Sequence, residues 1–199
     1  MKIYVESNFV LELALAQEQH TSCDTILRHC ESGSAELAIT AYSLMEPYET
    51  LMRRHKKRTL IKADLDDQFR QLARTSTYAE QLARFQDLTG LLTDSAVEES
   101  ARLEQVRARL LNTARIIPLE PRILHAAAEH QRRHDLSPPD SVIYASALTD
   151  LGDSNPEPSC FLNRNTRDFD DPDIVQELLA RNCKLLPRFD SGLAYILSR

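Results

Sequence analysis

The chain has 199 residues, of which 42% are hydrophobic, with 4 Gly, 9 Pro and a formal net charge of −6 at pH 7. This length and composition predict one ordered, well-cored α/β domain and exclude a low-complexity chain. No apolar run approaches the ~20 residues that span a bilayer, and the first residues lack signal-peptide features, so we expect a cytoplasmic protein without a membrane partner. The negative charge disfavours nonspecific nucleic-acid binding, and four scattered cysteines without a CxxC pair predict core thiols.

The first segment, KIYVESNFVLELALA, predicts a strand followed at once by a helix. Residues 3–5 form a short apolar run, and the leucines after Asn8 fit a helix that Ser7 or Asn8 caps. Glu6 therefore lies at the carboxyl end of the first strand, where open α/β sheets bind ligands. A second helix is predicted over residues 23–30, and a second strand over residues 37–40.

A third helix is predicted to open at Ser43 and to close in the basic run RRHKKR. Ser43 and Glu46 have the spacing of a capping box, and cations at a helix end suit the helix dipole. A solvated helix end and an RNA contact are equally good interpretations of the run. Its cations are Arg53, Arg54, Lys56, Lys57 and Arg58.

Residues 59–115 are predicted to form a helical insertion. Apolar residues recur there at intervals of three and four, and the pattern indicates two long helices and a shorter piece, broken near Gly90. Such an arm would provide an oligomer contact or cover the sheet, and both alternatives stay open.

The last part of the chain alternates short strands with helices. Strands are predicted over residues 116–119, 160–162 and 184–186. Four helices are predicted: one from Pro121, one capped by Ser137, one over residues 172–181 and one after Asp190. Residues 154–159 are predicted to be a loop. This alternation predicts a parallel sheet with helices on both faces. His130 and His134 share a helix face at four-residue spacing, but the Glu of H-E-x-x-H is absent, so we expect no zinc binding and interpret them as surface residues.

Acidic and amide side chains follow several predicted strands or open helices, and parallel strands bring such positions to one edge of the sheet. Crowded carboxylates repel one another unless a cation neutralises them, and oxygen ligands favour Mg²⁺ or Mn²⁺. Such metals support phosphodiester hydrolysis. Helix caps and turns are the alternative interpretation of each residue taken alone. The predicted set is Glu6, Glu46, Asp140, Asn165 and Asp168.

Four segments together resemble the motif blocks of PIN-domain ribonucleases, especially VapC-like toxins of bacterial toxin–antitoxin pairs. They are KIYVESNFVLELAL, AYSLMEPYETL, LSPPDSVIYASAL and CFLNRNTRDFDDPDI. The resemblance implies a three-layer α/β/α fold around a parallel sheet, here with the helical arm added. It also implies an RNA substrate, an antitoxin whose helix crosses the site, and a homodimer.

By the same resemblance, Glu6, Glu46, Asp140 and Asp168 would bind the metal and act in catalysis, and Asn8, Ser43 and Asn165 would support them. One position departs from the family, which normally carries Asp where this chain has Glu6. The extra methylene shifts the carboxylate by roughly a bond length, which matters for near-octahedral Mg²⁺. The departure motivates an alternative hypothesis: a catalytically weak or inactive PIN-fold module that binds RNA or a protein. Phosphoryl transfer through an Asp nucleophile fits less well, because E-S-N supplies no acidic pair.

Overall fold

The computed structural model describes residues 1–83, 86–152 and 157–199. Residues 153–156, which belong mostly to the predicted loop, lie outside the described residues. Among the helices described, none is long and apolar enough to cross a membrane.

Five parallel strands form the central sheet in the order β3-β2-β1-β4-β5. In the register of β1, Val5 lies opposite Ile39 on one side and Leu162 on the other. The strands are β1 (Lys2–Val5), β2 (Glu36–Thr40), β3 (Arg115–Ile117), β4 (Ser159–Leu162) and β5 (Cys183–Leu186).

Helices connect the strands. They are α1 (Ser7–Ala14), α2 (His20–Glu31), α3 (Ala41–Leu72), α4 (Ser76–Ala83), α5 (Gln86–Thr113), α6 (Pro121–His134), α7 (Pro138–Leu151), α8 (Thr166–Phe169), α9 (Pro172–Ala180) and α10 (Phe189–Leu197).

Two hydrophobic clusters cover the two faces of the sheet, because successive strand residues point to opposite sides. Ile3 and Val5 belong to a cluster shared with α1, α2, α5 and α10, whereas Tyr4 belongs to one shared with α6, α7 and α9. The predicted three-layer α/β/α fold is therefore confirmed. The four cysteines are buried and free, as predicted.

The helices of the arm differ from the prediction at two places. α3 does not end at the basic run but continues to Leu72, and α5 runs through Gly90 without a break there. Pairing between α3 and α5 explains the longer α3: Glu99 of α5 lies 2.9 Å from both His55 Nε2 and Arg58 Nη1. Contacts of this kind override the local preferences of a charge run or a glycine.

Two predicted helix starts and one predicted exposure are also wrong. Thr40 caps α3 by accepting a hydrogen bond from the Ser43 backbone N–H at 2.9 Å, so Ser43 and Glu46 do not form a capping box. Glu6 occupies the cap position of α1 in place of Ser7 or Asn8. His134 is buried, because α6 packs this side against α7.

Candidate metal and RNA site

The predicted acidic residues lie at the carboxyl edge of the sheet. Strand order reverses between β1 and β4, so the connections leaving these two neighbouring strands diverge and open a crevice. Glu6 directly follows β1, and Asn165 and Asp168 follow β4. The topology therefore places them on both sides of the crevice.

Glu6 is the most deeply buried of these carboxylates, with 3% of its surface exposed. Its Oε1 has no hydrogen-bond partner within the described part of the chain. The pKa of Glu6 is raised to about 8, mainly by burial and also by the carboxylates of Asp140 and Glu46, against the lowering effect of hydrogen bonds from Asn8. A buried acid with a free oxygen and two acidic neighbours favours a cation.

Glu46 reaches the same edge from the first turns of α3. Its Oε2 accepts a hydrogen bond from the Ser7 hydroxyl, which joins α3 to the start of α1. Ser43 lies beneath it, fully buried, and its Oγ accepts a hydrogen bond from Thr40 Oγ1 at 2.8 Å. Ser43 therefore fixes the start of α3, and Glu46 presents the carboxylate.

Asp140 and Asp168 are joined by Asn165. Its Nδ2 donates to Asp140 Oδ2 at 3.2 Å and to Asp168 Oδ2 at 2.7 Å. Ser137, the cap of α7, also donates its hydroxyl to Asp140, so the predicted cap is confirmed. Burial and the neighbouring Asp168 raise the pKa of Asp140 despite these hydrogen bonds. Asn165 thus holds two like-charged groups together.

The structure brings the predicted acidic and amide residues to one edge but not into one tight ligand sphere. Within the described residues, no three of the four carboxylates bring their oxygens within 4.8 Å of one another, as mutual repulsion favours. The set still fits a hard divalent cation, because it offers only oxygen donors and one buried oxygen lacks a partner. Binding would draw the carboxylates closer.

The basic run lies beside this edge on α3. Arg53 is seven residues beyond Glu46, or about 10 Å along the helix and on the same face. Arg58 points instead to Glu99 and Ser95 of α5. The side chains that stay exposed are those of Arg53, Arg54, Lys56 and Lys57.

Sequence reasoning missed three residues of this region. Glu12, one turn after Asn8, is 1% exposed and pairs with Arg164. Both line a cavity of about 480 Å³ that also includes Asn8 and Asn165. Asn163 accepts a hydrogen bond from the Asn165 N–H at 2.7 Å, which fixes the turn after β4.

Only one of these three residues carried a local signal. The spacing Asn163-x-Asn165 is that of an Asx turn, in which a side chain accepts a hydrogen bond from the backbone two residues on. Glu12 and Arg164 are 152 positions apart, and nothing local in the sequence pairs them.

A family model described as PIN domain matches residues 3–169. A search of curated proteins finds no match. Among solved structures, a similar chain belongs to the crystal structure of VapBC2 from Rickettsia felis bound to a DNA fragment from their promoter. The two chains share 10% identity over 94% of this chain and 98% of that chain, with a TM-score of 0.47.

Proposed function

Because this chain belongs to the PIN-domain family, we propose that it is a metal-dependent endoribonuclease that acts in the cytoplasm as the toxin of a toxin–antitoxin pair. The observation that carries the proposal is the crevice beside β1 and β4. There a buried Glu6, with a free oxygen and a pKa raised to about 8, faces Glu46 and Asp140. Like-charged acidic groups crowded at a crevice favour a cation that neutralises them.

Glu6, Glu46, Asp140 and Asp168 would hold the Mg²⁺ or Mn²⁺. When bound, such an ion supplies an activated water and stabilises the leaving oxygen of a phosphodiester. Asn165 keeps Asp140 and Asp168 in position through its two hydrogen bonds.

Several side chains fit a role in binding the RNA. Asn8 and Arg164 line the adjoining cavity and offer an amide and a cation to a phosphate. Arg53 and Lys57 extend positive charge from the Glu46 face of α3, where a strand leaving the crevice would run.

Two protein partners belong to the proposal. An antitoxin helix with a basic side chain would neutralise the acidic edge, and apolar residues are exposed beside it: Met45, next to Glu46, is 59% exposed and Met52 is 71% exposed. The paired helices α3 and α5 would supply the contact of a homodimer. Exposed apolar side chains that lie together on one surface often mark protein–protein interfaces.

The test is cleavage of a panel of structured RNAs by the purified chain with Mg²⁺, with Mn²⁺ or with EDTA. We expect metal-dependent cleavage that Asp168→Asn abolishes. Asp170→Asn is the matched control, because it removes the same charge from an exposed residue two positions after Asp168. Likewise Glu46→Gln should abolish cleavage, whereas Glu49→Gln, on an exposed residue of α3, should not. Equal cleavage by every variant would contradict the proposal.

A noncatalytic binding module is the second candidate, and the complete burial of Glu6 favours it. A longer side chain with a raised pKa gives a carboxyl that is partly neutral near pH 7 and a weaker metal ligand. Glu6→Asp separates the two functions. A large gain in cleavage would indicate a nuclease weakened by Glu6, whereas a folded protein inactive in both forms would indicate the module.

A further inference from the structure

A second group of metal-ligating side chains lies on the other helical layer. His130 and His134 are one turn apart on α6, and Glu177 comes from α9. One ligand atom from each of the three lies within 4.8 Å of the others. The side chain of His134 is 1% exposed. Two histidines four residues apart on one helix face are a usual arrangement for holding a metal.

Both histidines carry a buried nitrogen without a hydrogen-bond partner in the described residues: Nδ1 of His130 and Nε2 of His134. The other nitrogen of His134, Nδ1, lies 3.4 Å from Asp171 Oδ2. A carboxylate at Nδ1 favours the tautomer that keeps its lone pair on Nε2, as in carboxylate–histidine–metal triads. The free Nε2 is therefore oriented as a ligand.

Glu177 is positioned by two neighbours. Tyr144 donates its hydroxyl to Oε2 at 2.8 Å, and Arg181 Nη1 lies 3.4 Å from Oε1. The longer contact leaves Oε1 as the oxygen that a cation would take over from Arg181. His130 and Glu177 also line a cavity of about 340 Å³, which would supply an entry path and a solvent ligand.

We propose that His130, His134 and Glu177 bind a transition-metal ion of the zinc class, at a site separate from the acidic edge of the sheet. Two imidazoles and one carboxylate form a donor set that suits Zn²⁺ and not Mg²⁺. The third ligand comes from α9, 43 positions after His134, which is why the sequence lacks a contiguous zinc motif. The ion ties α6 to α9.

This link has a consequence for the edge of the sheet. α6 ends at His134, three residues before Ser137, and Ser137 caps the helix α7 that carries Asp140. α9 begins four residues after Asp168. An ion between α6 and α9 stabilises both connections. The role is structural and stands whether or not the chain is a nuclease.

The experiment uses the full chain freed of metal, titrated with Co²⁺ and Zn²⁺. We expect one Co²⁺ with the visible absorption of imidazole coordination, and Zn²⁺ at 100 times its Kd should raise the melting temperature by about 5 °C. His134→Gln and Glu177→Gln should abolish both responses. His125→Gln is the matched control, because His125 is on α6 but exposed, and it should respond like the original chain.

Two further variants separate this site from its surroundings. Asp171→Asn should weaken binding by about 10- to 100-fold, because Asp171 orients His134. Asp140→Asn should leave the Co²⁺ spectrum unchanged, because it alters only the acidic edge. The proposal is wrong if the original chain gives no imidazole spectrum. It is also wrong if Glu177→Gln, shown by circular dichroism to be folded, responds like the original chain. In either case the histidines only pack around Tyr144.

Discussion

The two edges of the central sheet carry similar acidic residues and treat them in opposite ways. At the amino edge, Asp150 accepts hydrogen bonds from Tyr4 at 2.6 Å and from Arg115, with Lys2 at 3.4 Å. Arg115 also pairs with Glu36. Despite partial burial, these partners lower the pKa of Asp150.

At the carboxyl edge, Glu6, Asp140 and Asp168 have amides, hydroxyls and other acids as neighbours. The pKa values of Glu6 and Asp140 are raised, and burial is the main cause in both. Both edges tie distant segments together. Asp150 is held by Arg115 and Lys2, whereas at the carboxyl edge Arg164 pairs with Glu12 and, within the described residues, no ion pair involves Glu6 or Asp140. Acids paired with cations therefore stabilise this fold, whereas acids without a cationic partner lower its stability and are available to a metal ion.

The largest expected effect comes from removing one acid of the carboxyl edge. Asp140→Asn should reduce metal-dependent RNA cleavage by about 100-fold or more, because a ligand and its charge are lost. Its free energy of unfolding in EDTA should be unchanged or higher, because Asp168 loses a like-charged neighbour. Cleavage rates and urea unfolding measure the two effects. A strongly destabilised Asp140→Asn would contradict the contrast between the edges.

The matching change at the amino edge should do the reverse. Asp150→Ala should lower the free energy of unfolding by about 2 kcal/mol, because it leaves Arg115 and the Tyr4 hydroxyl without their shared partner. Cleavage by the folded fraction should stay normal. Urea unfolding measures the stability, and cleavage assays at urea concentrations below the unfolding transition measure the activity. An Asp150→Ala protein as stable as the original chain would contradict the prediction.

The pH dependence of stability should separate the edges. Glu6 has its folded pKa raised to about 8, so without metal the free energy of unfolding should fall as pH rises from about 4.5 to 8. Glu6→Gln should remove this fall and raise the free energy of unfolding at pH 8 by several kcal/mol. Asp150 has a lowered pKa, so its contribution is present above about pH 4 and is lost on further acidification.

Urea unfolding across this pH range in EDTA measures both contributions. Added Mg²⁺ should reduce the decline between pH 4.5 and 8 in the original chain but not in Glu6→Gln, because the ion stabilises the charged carboxylate. If the free energy of unfolding of the original chain in EDTA did not change between pH 4.5 and 8, the pKa of Glu6 would not be raised in the folded protein.

The smallest effect concerns RNA affinity. Arg53→Ala with Lys57→Ala should weaken RNA binding several-fold, because both residues lie on the Glu46 face of α3. Arg54→Ala with Lys56→Ala changes the net charge equally, but these residues lie about 80° to either side. Binding at two salt concentrations measures both pairs. Equal losses would indicate that only net charge matters.

The elements at the start and end of the chain could be predicted closely because their signals are local. The apolar run of residues 3–5 and the Ser137 cap of α7 depend on neighbours within a few positions. The long α3 could not be predicted, because its partner Glu99 belongs to α5 and contacts His55 and Arg58 from more than 40 positions away.

For the candidate site, too, some features could be predicted from the sequence and others could not. Residue type and order, together with parallel strand direction, placed Glu6, Glu46, Asp140 and Asp168 at one edge. The hydrogen bonds from Asn165, the pairing of Arg164 with Glu12 and the burial of Glu6 required the packed structure. His134 was misjudged for this reason, since its burial depends on how α6 packs on α7.

The sequence by itself therefore determined the order of strands and helices, the parallel sheet and the edge at which the acids meet, because periodicity and chain direction are local properties. Only the tertiary structure decided which charges are neutralised. Asp150 and Glu6 look alike in the sequence, but one meets Arg115 and the other meets Glu46 and Asp140. A pKa depends on burial and on charges within a few ångströms, and those neighbours come from segments that only folding brings together.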